Sequence, residues 1–143
     1  MTVESILRIK GTEVTTARPD ESVRSIAKTL AARRIGAIVI SRDGRTVDGI
    51  LSERDVVRVI AESGDAALDA AVETMMTRTV VTCGRRDGIE SVMATMTARR
   101  IRHVPVVEDG ALAGIISIGD VVKSRLEEVE HEAQSLREYI SGY

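Results

Sequence analysis

An internal duplication restricts the possible folds of this 143-residue chain more than any other feature. Residues 30–44 read LAARRIGAIVISRDG and residues 96–110 read MTARRIRHVPVVEDG, so that Ile35 falls on Ile101 at an offset of 66. A repeat of about 66 residues in only two copies does not fit a solenoid, which stacks many shorter units. The sequence therefore predicts two similar half-domains that share one core.

Each copy shows the same order of predicted elements. A short strand, at 14–16 and again at 80–82, precedes an amphipathic helix whose apolar residues recur at helical spacing. Two strands follow, joined at Asp-Gly pairs typical of hairpin turns, and a second helix closes the unit. We predict an α/β (mixed α+β) fold with two small sheets, in which repeat 1 covers about 3–63 and repeat 2 about 72–125.

The end of the chain predicts an additional helix over about 126–141. Its apolar residues recur at steps of 3, 4, 3 and 4, and they are Leu126, Val129, Ala133, Leu136 and Ile140. Such a seam suits a partner helix, but two heptads are too short for a stable coiled coil alone. The seam packs either on its own module or on a second subunit, and we favour a homodimer.

The composition and charge of the chain argue against several classes of function. The net charge of −2 gives no general attraction to nucleic acid or to a membrane surface. The chain has one cysteine, Cys83, and two histidines, which offer neither an internal disulfide nor a zinc cluster. The N-terminal residues lack the apolar run of a signal peptide, and no segment is apolar enough to span a bilayer. We expect a cytoplasmic protein with no metal.

Motifs of catalysis are also missing from the sequence. It contains no phosphate-binding loop of the G-x-x-x-x-G-K-[ST] type, no G-x-S-x-G elbow and no paired histidines at metal-ligand spacing. Cys83 stands beside Arg85 and Arg86, which could lower the pKa of its thiol somewhat. A single cysteine is a weak signal, so we predict that the protein is not an enzyme.

The frame G-I-x-S-x-x-D-V-V occurs at 49–57 and again at 114–122. The simplest interpretation is a helix start that is used twice. Ser52 and Ser117 are good N-cap residues, and the aspartate three positions later completes a capping box. Capping alone stabilises each helix start by ~1 kcal/mol, and the motif considered by itself does not exclude it as the whole explanation.

A binding interpretation uses the same geometry. A helix N-terminus presents free N–H groups and partial positive charge, and it therefore holds phosphate. One oxygen of Asp55 or Asp120 can cap the helix while the other accepts hydrogen bonds from a vicinal diol such as ribose. Gly49 and Gly114 would let a ligand approach the strand ends closely. A nucleotide fits this description.

The duplicated unit, with G-x-x-S-x-x-D at each second helix, resembles a tandem pair of CBS domains (a Bateman module). The match is strongest over RIRHVPVVEDGALAGIISIGDVVKSRL at 100–126, and the resemblance covers roughly residues 3–126. It implies two half-domains related by pseudo-two-fold symmetry, with two clefts between the sheets. It also implies an adenosine ligand (AMP, ADP, ATP, S-adenosylmethionine or NAD(H)) and a disc-shaped homodimer.

The resemblance also assigns roles to residues. Asp55 and Asp120 would hold ribose hydroxyls, Ser52 and Ser117 would contact ribose or phosphate, and the loops around Thr16 and Thr82 would offer backbone groups to the base. The candidate binding residues are Thr16, Ile38, Ser52, Arg54, Asp55, Thr82, Arg102, His103, Val104, Pro105, Ser117 and Asp120.

The two copies differ where phosphate would bind. Repeat 2 has Arg102-His103 where repeat 1 has Gly36-Ala37. Neighbouring strand residues point to opposite faces, so we expect only one of the two basic side chains to reach a given anion. The alternatives are a solvated Arg102 and a structural, hydrogen-bonded His103. Arg54 of repeat 1 corresponds to Gly119 of repeat 2. It is a candidate to supply the cation that the Gly36-Ala37 position lacks.

No aromatic residue lies near either motif. We therefore expect aliphatic side chains such as Ile38, Val104 and Ile116 to hold an adenine ring, with selectivity from hydrogen bonds to the base edge. The arginine pairs at 33–34 and 99–100 end their helices, where positive charge suits the helix dipole, and we interpret them as mainly structural.

Two functions of different class remain. The first is a sensor that binds an adenosine nucleotide and changes how it engages an unknown protein partner. The second is a structural dimerisation or adaptor protein whose clefts are vestigial. The serine and aspartate retained in both copies favour the sensor.

Overall fold

The computed structural model describes residues 1–142 of the chain. Both halves combine helices with short strands, and two short 3₁₀ turns, Asp65–Asp69 and Val72–Thr74, link the halves. The elements of the first half are α1 (Val3–Lys10), β1 (Thr16–Ala17), α2 (Val23–Arg33), β2 (Ala37–Ile40), β3 (Gly49–Ser52) and α3 (Glu53–Ser63). Those of the second half are α4 (Ile89–Arg99), β4 (His103–Glu108), β5 (Ala111–Ser117) and α5 (Ile118–Ser141).

The predicted mixed α/β fold with two small sheets is confirmed. In the first sheet β2 lies between β1, which is parallel to it, and β3, which is antiparallel; the second sheet pairs β4 with β5 antiparallel. The predicted first strand of each copy, at 14–16 and 80–82, begins too early in the sequence. The paired segment of the first copy is Thr16–Ala17, and the second copy has only a single bridge between Cys83 and Val106 in its place.

The two copies exchange their leading segments. Helix α1 packs through Val3, Ile6 and Leu7 into the core of the second half. In return, Val72 and Met76 pack into the core of the first half. Backbone hydrogen bonds fix both crossings, from Val3 N to Asp87 O at 2.9 Å and from Val72 N to Glu21 O at 2.8 Å. The two cores therefore depend on each other, although each corresponds to one copy of the repeat.

This exchange explains Gly49 and Gly114, which the sequence analysis assigned to close approach of a ligand. A Cβ added at Gly114 would lie 2.8 Å from Cδ2 of Leu7, and one added at Gly49 would collide with the Met76 side chain. Contacts between carbon atoms that are not bonded are optimal near ~3.5–4 Å. Both glycines accommodate a crossing side chain, so the assignment to a ligand was wrong.

The two predicted Asp-Gly turns differ from each other. Asp109 and Gly110 both have positive φ, at 51° and 77°, which is typical of a type I′ hairpin turn. The loop at Asp43 is longer, and its carboxylate accepts the backbone N–H groups of Arg45 at 2.8 Å and Thr46 at 2.7 Å. Hydrogen bonds from Thr46 and Arg45 lower the pKa of Asp43.

Helix α5 runs without a break from Ile118 to Ser141, so the segment predicted as an additional C-terminal helix continues the helix of the second motif. Val121 and Ser124 face the body of the module and are buried. Most of the predicted apolar seam lies on the other side of the helix and is exposed. No helix within residues 1–142 has both the length and the apolar character needed to cross a bilayer.

Candidate functional site

Two related clefts lie where the halves meet. Cleft 1 has a volume of about 430 Å³ and combines the start of α3 with the loops before Thr82 and before β4. Ligand pockets commonly measure ~300–1,000 Å³. The lining residues are Gly36, Ala37, Ile50, Ser52, Glu53, Arg54, Asp55, Arg58, Thr77, Thr79, Val80, Val81, Arg100, Ile101, Arg102 and His103.

Cleft 2 is the pseudo-symmetric counterpart and has a volume of about 310 Å³. Its residues fall at the repeat offset from those of cleft 1, since Ser117 corresponds to Ser52 and Arg34 to Arg100. They are Lys10, Glu13, Val14, Thr15, Arg34, Ile35, Gly36, Ala37, His103, Ile115 and Ser117.

Both motifs form complete capping boxes. Ser52 Oγ accepts the Asp55 N–H at 3.2 Å, and Asp55 Oδ2 accepts the Ser52 N–H at 2.8 Å. In the second copy the same two hydrogen bonds, between Ser117 and Asp120, measure 3.2 and 2.9 Å. Capping therefore accounts for the spacing of the motif and uses one carboxylate oxygen in each copy, Oδ2. Whether each carboxylate can also bind a ligand depends on the hydrogen bonds that its oxygens can still accept.

The two carboxylates find different partners. Asp55 Oδ1 accepts a hydrogen bond from Nη2 of Arg58, one turn along the helix, at 2.9 Å. Asp120 Oδ2 accepts Lys10 Nζ at 2.6 Å, and the same ammonium donates to the Ile115 carbonyl at 2.9 Å. Partial burial disfavours ionisation of Asp120, but the contacts with Lys10 and Ser117 outweigh it, and they lower the pKa of Asp120. Neither Lys10 nor Arg58 is predicted from the sequence as a partner of the motif.

Positive charge is concentrated in cleft 1. Four arginines line it, and the acidic residues of its lining are Glu53 and Asp55. The arginines are Arg54, Arg58, Arg100 and Arg102. Among the residues that line cleft 2, Lys10 and Arg34 are the formal cations and Glu13 is the acid.

The structure corrects what the sequence predicts for four basic residues. Arg102 and His103 both line cleft 1, because β4 begins at His103 and strand alternation does not extend to Arg102. Arg54 lies in the same cleft, so it adds to the difference between the clefts instead of compensating for it. Arg100 is the C-cap residue of α4, in the left-handed conformation, and it also lines cleft 1. The interpretation of the arginine pair at 99–100 as mainly structural is therefore incomplete.

His103 forms the wall between the clefts, since its side chain lines both. The imidazole packs on Gly36, where an added Cβ would lie 2.9 Å from its Cε1 atom. Burial lowers the pKa of His103; Lys10 and Arg102 act in the same direction, while Glu53 and Asp120 oppose them. The neutral imidazole therefore predominates at neutral pH.

The aliphatic residues expected to hold a base lie in the cores. Ile38 and Val104 are each 1% exposed and Ile116 is fully buried, so they have no surface to offer a ring. Pro105 is also buried, and its carbonyl accepts the Cys83 N–H at 3.0 Å. Along a strand, side chains alternate between faces, so it is the neighbouring residues that reach the clefts. The apolar lining is instead Ala37, Ile50, Val80, Val81 and Ile101 in cleft 1 and Val14, Ile35, Ala37 and Ile115 in cleft 2.

Thr16 and Thr82 each stand one residue beyond the cleft lining. Thr15 lines cleft 2 and Val81 lines cleft 1, whereas Thr16 pairs with Val39 in the first sheet. The loops are therefore beside the clefts as expected, but the residues that line them come one position earlier.

Cys83 does not behave as an activated thiol. It lies in the core of the second half, and burial, together with Asp87 and Glu108, raises its pKa to about 12. The prediction that Arg85 and Arg86 lower the pKa of Cys83 is wrong, because burial and nearby carboxylates raise it.

Comparisons with known proteins agree with this architecture. The sequence model described as CBS domain matches residues 3–62 and 72–127. The "CBS domain-containing protein CBSX3, mitochondrial" of Arabidopsis thaliana is 34% identical over 127 residues, which are 86% of this chain and 62% of that protein. This chain thus spans less than two thirds of that relative. The crystal structure of the CBS-domain protein ATU1752 of Agrobacterium tumefaciens is 48% identical, with a TM-score of 0.84, and covers 87% of this chain and 99% of the other.

Two similar structures contain adenosine compounds. The CBS domain protein PAE2072 of Pyrobaculum aerophilum, complexed with AMP, is 28% identical with a TM-score of 0.75, over 84% of this chain and 89% of the other. The CBS domain pair of MJ0100, in complex with 5'-methylthioadenosine and S-adenosylmethionine, is 27% identical with a TM-score of 0.76, over 91% and 98%. The duplicated unit, the paired clefts and the match to both repeats lead to one conclusion: the chain belongs to the CBS-domain family, as a tandem pair of CBS repeats.

Proposed function

We propose that this CBS pair is a regulatory sensor that binds an adenosine nucleotide in cleft 1 and transmits its occupancy to a protein partner. The observation that carries the proposal is the composition of cleft 1. The carboxylate of Asp55 and the N-terminus of α3 lie beside four arginines in a cavity of about 430 Å³. The carboxylate suits ribose and the arginines suit phosphate.

Charge selects among the ligands of related proteins. S-adenosylmethionine carries a positive sulfonium group, whereas the phosphate of AMP carries about two negative charges at neutral pH. Cleft 1 attracts the phosphate of AMP and repels the sulfonium group of S-adenosylmethionine, because four arginines line it. They are Arg54, Arg58, Arg100 and Arg102. We therefore propose AMP, ADP, ATP or NAD(H) as the ligand of cleft 1, with a role in sensing the adenylate state of the cell.

The second candidate is an adaptor protein with vestigial clefts. One observation favours it: each motif carboxylate already has a cationic partner from its own chain, Arg58 for Asp55 and Lys10 for Asp120. A ligand must then compete with these side chains or share the carboxylate with them. In either case we propose a homodimer that acts by binding, without catalysis.

Thermal unfolding across a ligand panel separates the two candidates. The panel contains adenosine, AMP, ADP, ATP, NAD⁺, NADH and S-adenosylmethionine, with GMP and CMP as controls for the base. A ligand present at 100 times its dissociation constant stabilises the folded protein by about 2.7 kcal/mol. The sensor predicts a shift for a phosphate-bearing adenosine compound that Arg102→Ala reduces.

Arg86→Ala is the matched control for this experiment. Arg86 is exposed and does not line either cleft, so its substitution removes the same charge without touching the site. If no adenosine compound shifts the unfolding of the wild-type protein, the sensor is excluded and the adaptor remains.

A further inference from the structure

Three arginines of cleft 1 also line a second cavity, which we call the outer groove. It has a volume of about 320 Å³ and lies between the end of α4 and the start of α5. The residues that line both cavities are Arg54, Arg100, Ile101 and Arg102. The remaining lining of the outer groove is Met96, Thr97 and Ile118. Cleft 1 and the outer groove are therefore adjacent, and the wall that they share contains three guanidinium groups.

The positive charge of this shared wall is not neutralised by the chain itself. Within residues 1–142, Arg54, Arg100 and Arg102 form no ion pair, and the lining of the outer groove contains no acid. A single exposed arginine is usually solvated and indicates no ligand. Three unpaired guanidinium groups around one cavity repel one another, and an anion with several charges relieves that repulsion.

The matched cavity of the first half lacks this excess of positive charge. It lies between α2 and α3, and the charged residues of its lining are one cation, Arg34, and one acid, Glu53. The differences at the repeat offset are Gly36 against Arg102, Ala31 against Thr97 and Glu53 against Ile118. The second copy therefore gains a cation, gains a hydroxyl and loses an acid in a cavity that both copies form.

A chain of phosphates fits this arrangement better than a single phosphate does. Asp55, the carboxylate proposed to bind ribose, lines cleft 1 but not the outer groove. Phosphates attached to that ribose reach the outer groove by way of the shared arginines, which hold phosphate oxygens through paired hydrogen bonds. AMP has no group beyond its one phosphate, whereas ADP and ATP add negative charge that the outer groove can receive.

We infer that the outer groove is a subsite for the distal phosphates of a nucleotide whose ribose occupies cleft 1, so that the protein prefers ADP and ATP to AMP. The inference rests on the proposed nucleotide site and selects among its candidate ligands. Thr97 is the position at which the preference can be changed alone, because it lines the outer groove and not cleft 1.

Calorimetric titration with AMP, ADP and ATP measures the preference. The titrations are made without magnesium, because Mg²⁺ binds to the phosphates and would neutralise part of their charge. ATP should bind cleft 1 at least about tenfold more tightly than AMP, and ADP should lie between them. Equal affinities for the three nucleotides, or tighter binding of AMP, overturn the inference.

Thr97→Glu places a negative charge in the outer groove. Thr97 is exposed and its hydroxyl donates to the Met93 carbonyl of the same helix at 3.0 Å, so the substitution disturbs no contact with another element. Glutamate also has a higher helix propensity than threonine, and the variant should therefore fold. Its affinity for ATP should fall about tenfold, while its affinity for AMP stays close to the wild-type value.

Two matched controls isolate the charge and its position. Thr97→Gln has the size of the glutamate variant without the charge. Ala98→Glu puts the same charge on the neighbouring exposed position, which lines neither cavity. Both controls should bind ATP as the wild-type protein does. An equal loss of AMP and ATP affinity in Thr97→Glu, or the same loss of ATP affinity in either control, contradicts the inference.

Tripolyphosphate separates a failure of this inference from a failure of the proposed sensor. It has neither base nor ribose, so it depends on the arginines alone, and it should bind more weakly to Thr97→Glu than to Thr97→Gln. If neither tripolyphosphate nor ATP distinguishes these two variants, the outer groove is not a phosphate subsite, even if AMP binds cleft 1. If no adenosine compound binds, the sensor fails, whereas tripolyphosphate binding that Thr97→Glu weakens still supports the groove as a phosphate site.

Discussion

Lys10 and Asp120 form an ion pair of 2.6 Å that connects the end of α1 to the start of α5. The residues lie 110 positions apart, and the pair joins the leading segment of the first copy to the capping motif of the second. Lys10 therefore places a positive charge at cleft 2, but the Asp120 carboxylate already neutralises that charge. The same contact therefore stabilises the exchange of segments and reduces the charge available to a ligand.

The first prediction concerns the stability that this pair contributes. Lys10→Met should lower the free energy of unfolding by ~0.5–1 kcal/mol at pH 7, the usual range for a half-exposed pair. Because folding lowers the pKa of Asp120, its contribution is complete above the pKa of the unfolded chain and is lost as pH falls through the folded value. The difference between variant and wild type should therefore shrink below about pH 4.

Urea unfolding at several pH values from 7 to 3 measures this difference. Lys123→Met is the control, because it removes an exposed lysine from the same region without breaking an ion pair. A difference that stays constant across the whole pH range would show that Lys10 acts through its aliphatic chain and not through its charge.

The second prediction concerns the motif carboxylates. Asp55→Asn should weaken nucleotide binding in cleft 1 by ~1.5–3 kcal/mol, the contribution of a hydrogen bond to a charged group. Asp120 is not among the residues that line cleft 2, so Asp120→Asn should weaken binding there less than Asp55→Asn weakens binding in cleft 1. Asparagine can still cap the helix, so the free energy of unfolding should change far less than the affinity. If calorimetric titration shows unchanged binding in both variants, the motif only caps helices.

The third prediction concerns the crossing side chains. Gly114→Ala should destabilise the protein by ~1–3 kcal/mol, because the new methyl group overlaps the Leu7 side chain. Gly88→Ala is the matched control, since nothing lies within 4 Å of its added Cβ and its φ is −73°. Leu7→Ala opens a cavity in the core and is destabilising by itself, but it removes the overlap, so the double variant should lose less stability than the sum of the two single variants. Equal effects at both glycines would contradict the packing explanation.

The sequence predicted what depends on local rules. The capping boxes at Ser52 and Ser117 follow from the order of a few neighbouring residues, and the two sheets follow from the duplicated pattern of apolar residues. Strand alternation could also have identified the cleft-facing residues. Ile115 lies two positions before Ser117 and therefore shares its face, whereas Ile116 points into the core.

Contacts between distant parts of the chain could not be predicted from local sequence patterns. Nothing near Lys10 in the sequence indicates Asp120, and nothing near Leu7 indicates Gly114. Both pairs arise because the leading segments cross between the halves, which is a property of the tertiary structure. Periodicity indicates that a helix has a buried face but does not indicate which core buries it.

The last prediction is that the two clefts bind phosphate unequally. Arg58 in cleft 1 is paired with Asp55 and Lys10 in cleft 2 is paired with Asp120. Cleft 1 also contains Arg54, Arg100 and Arg102, which form no ion pair within residues 1–142, whereas the other formal cation of cleft 2 is Arg34. A difference of ~1.4 kcal/mol is sufficient for a tenfold difference in affinity. We therefore expect AMP to bind cleft 1 at least about tenfold more tightly than cleft 2, and adenosine, which has no phosphate, to bind the two with similar affinity.

Arginine substitutions assign this difference to a cleft. Arg102 lines cleft 1 but not cleft 2, so Arg102→Ala should weaken the tighter AMP site and leave the weaker AMP site and adenosine binding unchanged. Arg54→Ala should act in the same direction, because Arg54 shares that cleft. His103 lines both clefts, so His103→Ala should affect both sites and thereby differ from either arginine variant. Two identical AMP sites in calorimetric titration, or equal losses at both sites with Arg102→Ala, would rule out the charge explanation, because an arginine confined to one cleft cannot act equally on two.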